Sequence, residues 1–131
     1  MLTILKPQDF SCKLKATVQS SGKLNFTDAT AQELGLEKVR SVKFALDEQN
    51  NLYIALLSEK VPDAFLLCRS GRYYYVQARL IFNSLGIDYV NNTVICDLRR
   101  YIEADEEMVG KAYKLIIRVK PQKGKEDVGE V

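Results

Sequence analysis

The chain contains no histidine among its 131 residues. That removes the commonest general base near neutral pH and the commonest nitrogen ligand for a metal. Cysteine is scarce too: Cys12, Cys68 and Cys96 are three, an odd count that cannot close fully into internal disulfides. They stand far apart, unlike the closely spaced ligand pairs of a zinc site. Each lies in an apolar, strand-like run ("FSCKLKA", "FLLCRS", "VICDL"), where reduced cysteine behaves as a small buried hydrophobe. Three unbridged, largely buried thiols are expected, with no metal and a reducing, cytoplasmic compartment. Long apolar runs are missing. "YIALL" and "AFLLC" fall far short of a bilayer span. "MLTILKPQDF" lacks the apolar stretch and small-residue cleavage site of a secretory leader. No glycine-rich loop feeds a helix as phosphate cradles require. The carboxylates of "DEQNN" and "EADEE" fall in expected hairpin connections, where acids are ordinarily just solvated. Ser20, Ser21 and Ser70 read as turn residues, and Arg69 beside Cys68 is the one basic neighbour of a thiol that stands out. No enzyme, cofactor or membrane span is expected.

What is present is an ordinary globular balance: 47% hydrophobic and 27% charged residues, with a formal net charge of +2. A core should form. So small a net charge does not by itself announce a polyanion partner, so a basic site has to come from local clustering.

Phe10, Cys12, Leu14, Ala16 and Val18 alternate with Ser11, Lys13, Lys15, Thr17 and Gln19, the period of a strand with one wet face. "SSG" closes it as a turn and "KLNF" returns. "TDATAQELGL" reads as a short helix, with Thr27 or Asp28 as its cap and Gly35 just past its last turn. "SVKFALD" and "NLYIALL" follow as strands joined by "EQNN". The order then recurs: strands "FLLCRS" and "GRYYYVQ", a helix "ARLIFNSLG", strands "NNTVICDL" and "AYKLIIRV". The fold class expected is a β-rich α+β protein of two tandem ββαββ repeats, packed as an intramolecular pseudo-dimer, barrel-like or two-layered. The expected boundaries are an arm over 1–9, repeats over 10–58 and 64–119, a linker over 59–63 containing Pro62, an extended acidic hairpin loop over 99–112 and a disordered tail over 120–131. Leu34 and Leu85 should hold equivalent inward positions on the two helices.

Gly22, Lys23, Leu24, Phe26 and Leu34-Gly35-Leu36 stand in a pattern that returns, more loosely, as Gly71, Arg72, Tyr73, Tyr75 and Leu85-Gly86-Ile87. This pattern resembles the AbrB-like, swapped-hairpin family of bacterial transcription regulators, and its tandem form is similar to the MraZ branch. Thr27 stands where that family has a proline. The resemblance implies a swapped-hairpin fold, duplex DNA as partner and a homo-oligomer as a further possibility.

Lys13, Lys15, Lys23, Arg69, Arg72 and Arg79 are the candidate DNA-binding residues. Folded as related copies, they would form one basic surface that neutralises phosphates. The alternative is a solubilising face on a β protein with a non-enzymatic role in protein interaction or self-assembly through sheet edges. Tyr73, Tyr74 and Tyr75 offer stacking surfaces, or else simply follow the β-propensity of tyrosine.

Overall fold

The computed structural model describes residues 2–4, 14–101 and 111–121. Nine strands and two short helices follow one another: β1 (Leu14–Val18), β2 (Lys23–Phe26), α1 (Asp28–Leu34), β3 (Ser41–Leu46), β4 (Leu52–Leu57), β5 (Phe65–Leu66), β6 (Cys68–Ser70), β7 (Tyr73–Gln77), α2 (Arg79–Ser84), β8 (Asn92–Tyr101) and β9 (Lys111–Pro121). A single-turn 3₁₀ helix, Leu36–Lys38, follows α1.

All the strands join one antiparallel sheet in the order β5-β3-β4-β9-β8-β1-β2-β7-β6. Its two end strands are separated in the chain by Leu67 alone, whose N–H bonds the Arg40 carbonyl at 3.1 Å. One kinked segment therefore pairs with β3 through its first half and with β7 through its second. The sheet curls round into a nearly closed barrel. Such closure removes most of the exposed edge that an open sheet would leave.

Period-two alternation sets the inside. Ala16, Val18, Leu24, Phe26, Val76, Val94 and Cys96 are almost wholly buried, and they meet across the ladders as Ala16↔Phe26, Ala16↔Cys96 and Leu24↔Val76. β3, β4 and β9 add Val42, Ile54 and Leu115, and the helices plug the core with Leu34 and Phe82. Burying each of the larger side chains contributes about 1.5–3 kcal/mol. A small second cluster lies on the outer side of β4 and β9, where Ala55 faces Ala112 beneath the Tyr53 and Tyr101 rings, whose centroids are 4.7 Å apart.

α1 begins as its sequence requires. Thr27 is its N-cap and accepts the Thr30 N–H at 3.2 Å, and Gly35 ends it in the left-handed conformation. Buried Thr30 also accepts the Lys15 N–H at 2.7 Å. β2 stops at Phe26, and Thr30 supplies a hydrogen-bond acceptor to β1 there in place of a strand carbonyl.

Several expectations need correction. Leu34 is buried on α1, whereas Leu85 lies just past the end of α2 and is only partly buried against the core. β8 and β9 reach into the segment expected to be loop, because Arg99, Arg100 and Tyr101 pair with Lys114, Tyr113 and Ala112, and Lys111 pairs with Leu56 of β4. Lys120 and Pro121, expected in the tail, pair with Thr93 and Asn92. Residues 102–110 and 122–131, most of the arm, and residues 10–13 of the first expected strand lie outside the described residues. Cys96 is fully buried, but Cys68 is only half-buried, since β6 is a three-residue end strand and residue 68 faces outward beside Tyr75. Cys12 lies outside the described residues.

Candidate nucleic-acid interface

The β2–β7 ladder positions most of the candidate cations. Its register runs from Lys23↔Gln77 to Phe26↔Tyr74. Extended two residues further, it brings Arg72 beside Asp28, and their side chains pair there at 3.6 Å. Lys23 and Arg72 therefore mark opposite ends of the ladder, five residues apart, or about 17 Å at the usual rise of a strand.

Each end has its own company. At the Lys23 end the β1–β2 turn packs under the start of α2. The Ala78 N–H bonds the Gly22 carbonyl at 3.2 Å, and the Arg79 Cα and Cβ occupy the space that a side chain on Gly22 would need. Gly22 is buried with φ of +87°, so the glycine is required both by its conformation and by this close approach. At the Arg72 end stand Arg69, whose Nε donates to the Gly71 carbonyl at 2.8 Å, and Lys15, whose backbone carbonyl accepts the Thr27 N–H. The expected single surface is thus divided into two basic ends, Lys23 with Arg79 and Arg72 with Arg69 and Lys15. The antiparallel register is the cause, since it sends the two turns in opposite directions. Lys13 lies outside the described residues.

The tyrosine run proves to be tied to the cations. Lys23 Nζ sits 4.5 Å from the centre of the Tyr75 ring, Arg69 lies 5.3 Å over Tyr74 and Arg72 lies 5.4 Å over Tyr73. At exposed positions such contacts are weakly attractive. Tyr74 packs against the core, and Tyr73 and Tyr75 face outward. The Arg72 guanidinium also donates to the Tyr73 hydroxyl at 3.4 Å. That bond, with the charges of Tyr73 and Asp28, raises its pKa further above the ordinary value. Arg72 thus remains a fixed cation at every accessible pH. A groove of about 470 Å³ opens beside it, lined by Asp28, Gln32, Glu37, Arg72 and Tyr74.

Sequence reasoning missed a second set of cations. Along β8, buried Val94, Cys96 and Leu98 alternate with outward Thr93, Ile95, Asp97 and Arg99. Along β9, Lys114, Ile116, Arg118 and Lys120 take the outward positions. The same period-two signal that marks these strands would have placed Arg99, Lys114, Arg118 and Lys120 on the wet face. Arg118 is engaged with Asp97: Nη2 donates to Oδ1 at 3.1 Å, while Nε approaches Oδ2 at 2.8 Å without pointing its hydrogen at it.

Comparison of the chain with known protein families, curated proteins and solved structures gave no match.

Proposed function

We propose that this chain is a DNA-binding protein, regulator-like in the AbrB sense, whose basic turns contact the phosphate backbone of duplex DNA. The observation that carries the reading is the placement of the two cations that follow turn glycines. Lys23 follows Gly22 and Arg72 follows Gly71, at opposite ends of one ladder and each held over a tyrosine ring.

The strand pairing supports treating these positions as related. Exchanging the segments 10–58 and 64–119 carries β1–β2 into β6–β7, β3–β4 into β8–β9 and β1–β8 into the β5–β3 pair, with β5 and β6 together taking the part of β1. β2–β7 and β4–β9 go into themselves. We read this as two related ββαββ units closed into one pseudo-dimer, as the resemblance implies. A duplex has the matching two-fold character. Its two backbones border a major groove roughly 12 Å wide, and long basic side chains anchored about 17 Å apart can reach both. A cation over each ring also covers a face that a base would need for stacking, which favours phosphate contact over single-strand stacking.

The test is fluorescence anisotropy with a labelled duplex of arbitrary sequence at low salt, for the native protein and for the Lys23→Glu/Arg72→Glu variant. Weak, sequence-tolerant binding is expected for the native chain, falling steeply with salt, with at least a tenfold loss in the variant and an unfolding midpoint lowered by no more than a few degrees. No native binding, or equal binding by both, overturns the proposal. The alternative reading, a non-enzymatic interaction module, draws on exposed Leu66 at the sheet end and exposed Leu80 on α2. A concentration-dependent oligomer with no DNA affinity would select it.

A further inference from the structure

We infer that the DNA contact is not confined to the turns but continues across the outer wall of β2, β1, β8 and β9, which forms a track for the phosphate backbone. This rests on the DNA-binding reading and extends it to residues that the turns do not include.

The register fixes the wall. One outer row runs Lys23–Gln19–Thr93–Lys120 across β2, the end of β1, β8 and β9. Another runs Lys15–Asp97–Ile116, and beyond it Arg99 stands directly opposite Lys114. Three strand spacings and three two-residue steps make a surface of about 14 Å by 20 Å. Its acid among the described outward positions is Asp97, already engaged by Arg118. Lys15, Lys23, Arg99, Lys114 and Lys120 make no ion pair with a described residue.

The Arg99–Lys114 pair is informative. Like charges directly opposite each other on neighbouring strands destabilise a sheet. Among the described residues no acid pairs with either side chain, and a local rule broken in this way is expected where an outside partner supplies the compensation. The chemistry of the wall indicates which partner. Protein interfaces deplete charge, lysine above all, from their centres and rely on large apolar anchors. Here Ile95 and Ile116 are the large aliphatic side chains in the middle of the wall, and both are already half-buried. Five cations without an ion-pair partner among the described residues, and with no exposed apolar anchor between them, suit a rod of phosphates, which carries about one charge per 1.7 Å of duplex axis.

The experiment measures the salt dependence of duplex binding for the full chain, the Lys23→Glu/Arg72→Glu variant and an Arg99→Glu/Lys120→Glu variant. Both wall positions are exposed, and thermal unfolding of each variant verifies the fold. Each lost phosphate contact lowers the slope of log K against log salt by about 0.9. The wall variant is expected to lose a slope of roughly 2 and at least fivefold in affinity at low salt, while retaining measurable binding. If the turn variant loses binding but the wall variant binds with native slope, the track is wrong and the turn reading survives. If the native chain binds no duplex, both fall. If the wall variant loses affinity for polyglutamate and keeps it for DNA, the wall belongs to an acidic protein partner and the inference is overturned.

Discussion

Replacing Gly22 by alanine should damage this fold far more than replacing Gly71, although the two glycines open matching turns. Both have positive φ, +87° at Gly22 and +61° at Gly71. An alanine at either position therefore incurs a left-handed penalty of about 1–2 kcal/mol. The surroundings then separate them. A Cβ on Gly22 would lie 2.4 Å from the Arg79 Cβ and 2.7 Å from the Arg79 Cα, whereas a Cβ on Gly71 would meet nothing within 4 Å. The Arg79 atoms are backbone and its first side-chain carbon, so no rotamer change relieves the contact. The turn must lift off α2, stretching the Ala78–Gly22 hydrogen bond, and overpacking of this kind costs a further 1–3 kcal/mol or about that. Gly71→Ala should thus destabilise by about 1 kcal/mol and Gly22→Ala by about 3 kcal/mol or more. Urea denaturation of the three proteins, followed by circular dichroism, measures the difference. Equal losses would refute the claim that the first turn is clamped against the second helix.

Two further outcomes follow from the same structure. In a Cys12→Ser background, Cys68 should react with a thiol reagent in the native protein while Cys96 reacts only on unfolding, because burial, and secondarily the charge of Asp97, push the Cys96 thiol up to about 12; mass spectrometry of labelled peptides reads this out, and rapid native labelling of Cys96 would contradict it. Asp47 accepts hydrogen bonds from the Asn51 side chain and N–H, the Tyr53 hydroxyl and the Gln49 N–H, and the first of these is the main reason its pKa falls from 3.8 to about 2. A lowered folded-state pKa means that the β3–β4 turn keeps this contribution above about pH 4 and loses it as pH falls through about 2; the Gln49 and Asn51 amide resonances should titrate with that lower midpoint, and a midpoint near 3.8 would show the carboxylate to be free.

The parts of the fold legible in the sequence are those fixed by local chemistry. The alternation of Leu14 to Val18, the Thr27 cap and the Gly35 stop each depend on residues within a turn or two. What was not legible depends on neighbours far along the chain. Nothing near Cys68 announces that β6 is too short and too peripheral to bury it, and nothing local reveals that Leu67 links the two ends of the sheet. The candidate site shows the same limit. Lys23 and Arg72 were visible as bases after turn glycines, but the β2–β7 register, a contact between segments fifty residues apart, decides that they face opposite ends. Arg99, Lys114 and Lys120 were within reach of the alternation pattern. Arg99 and Lys120 passed unnoticed because the expected loop and tail covered the ends of β8 and β9, and Lys114, inside an expected strand, because it follows no turn glycine.

The central claim is that duplex DNA meets this protein at its two basic turns, and backbone amide chemical-shift mapping tests it most directly. An unlabelled duplex would be added to the isotopically labelled full chain at low salt. The account predicts progressive shifts at residues 20–24, 69–73 and 78–80, reversed by added salt. Shifts confined to β3 and β4, or none at all, would contradict it.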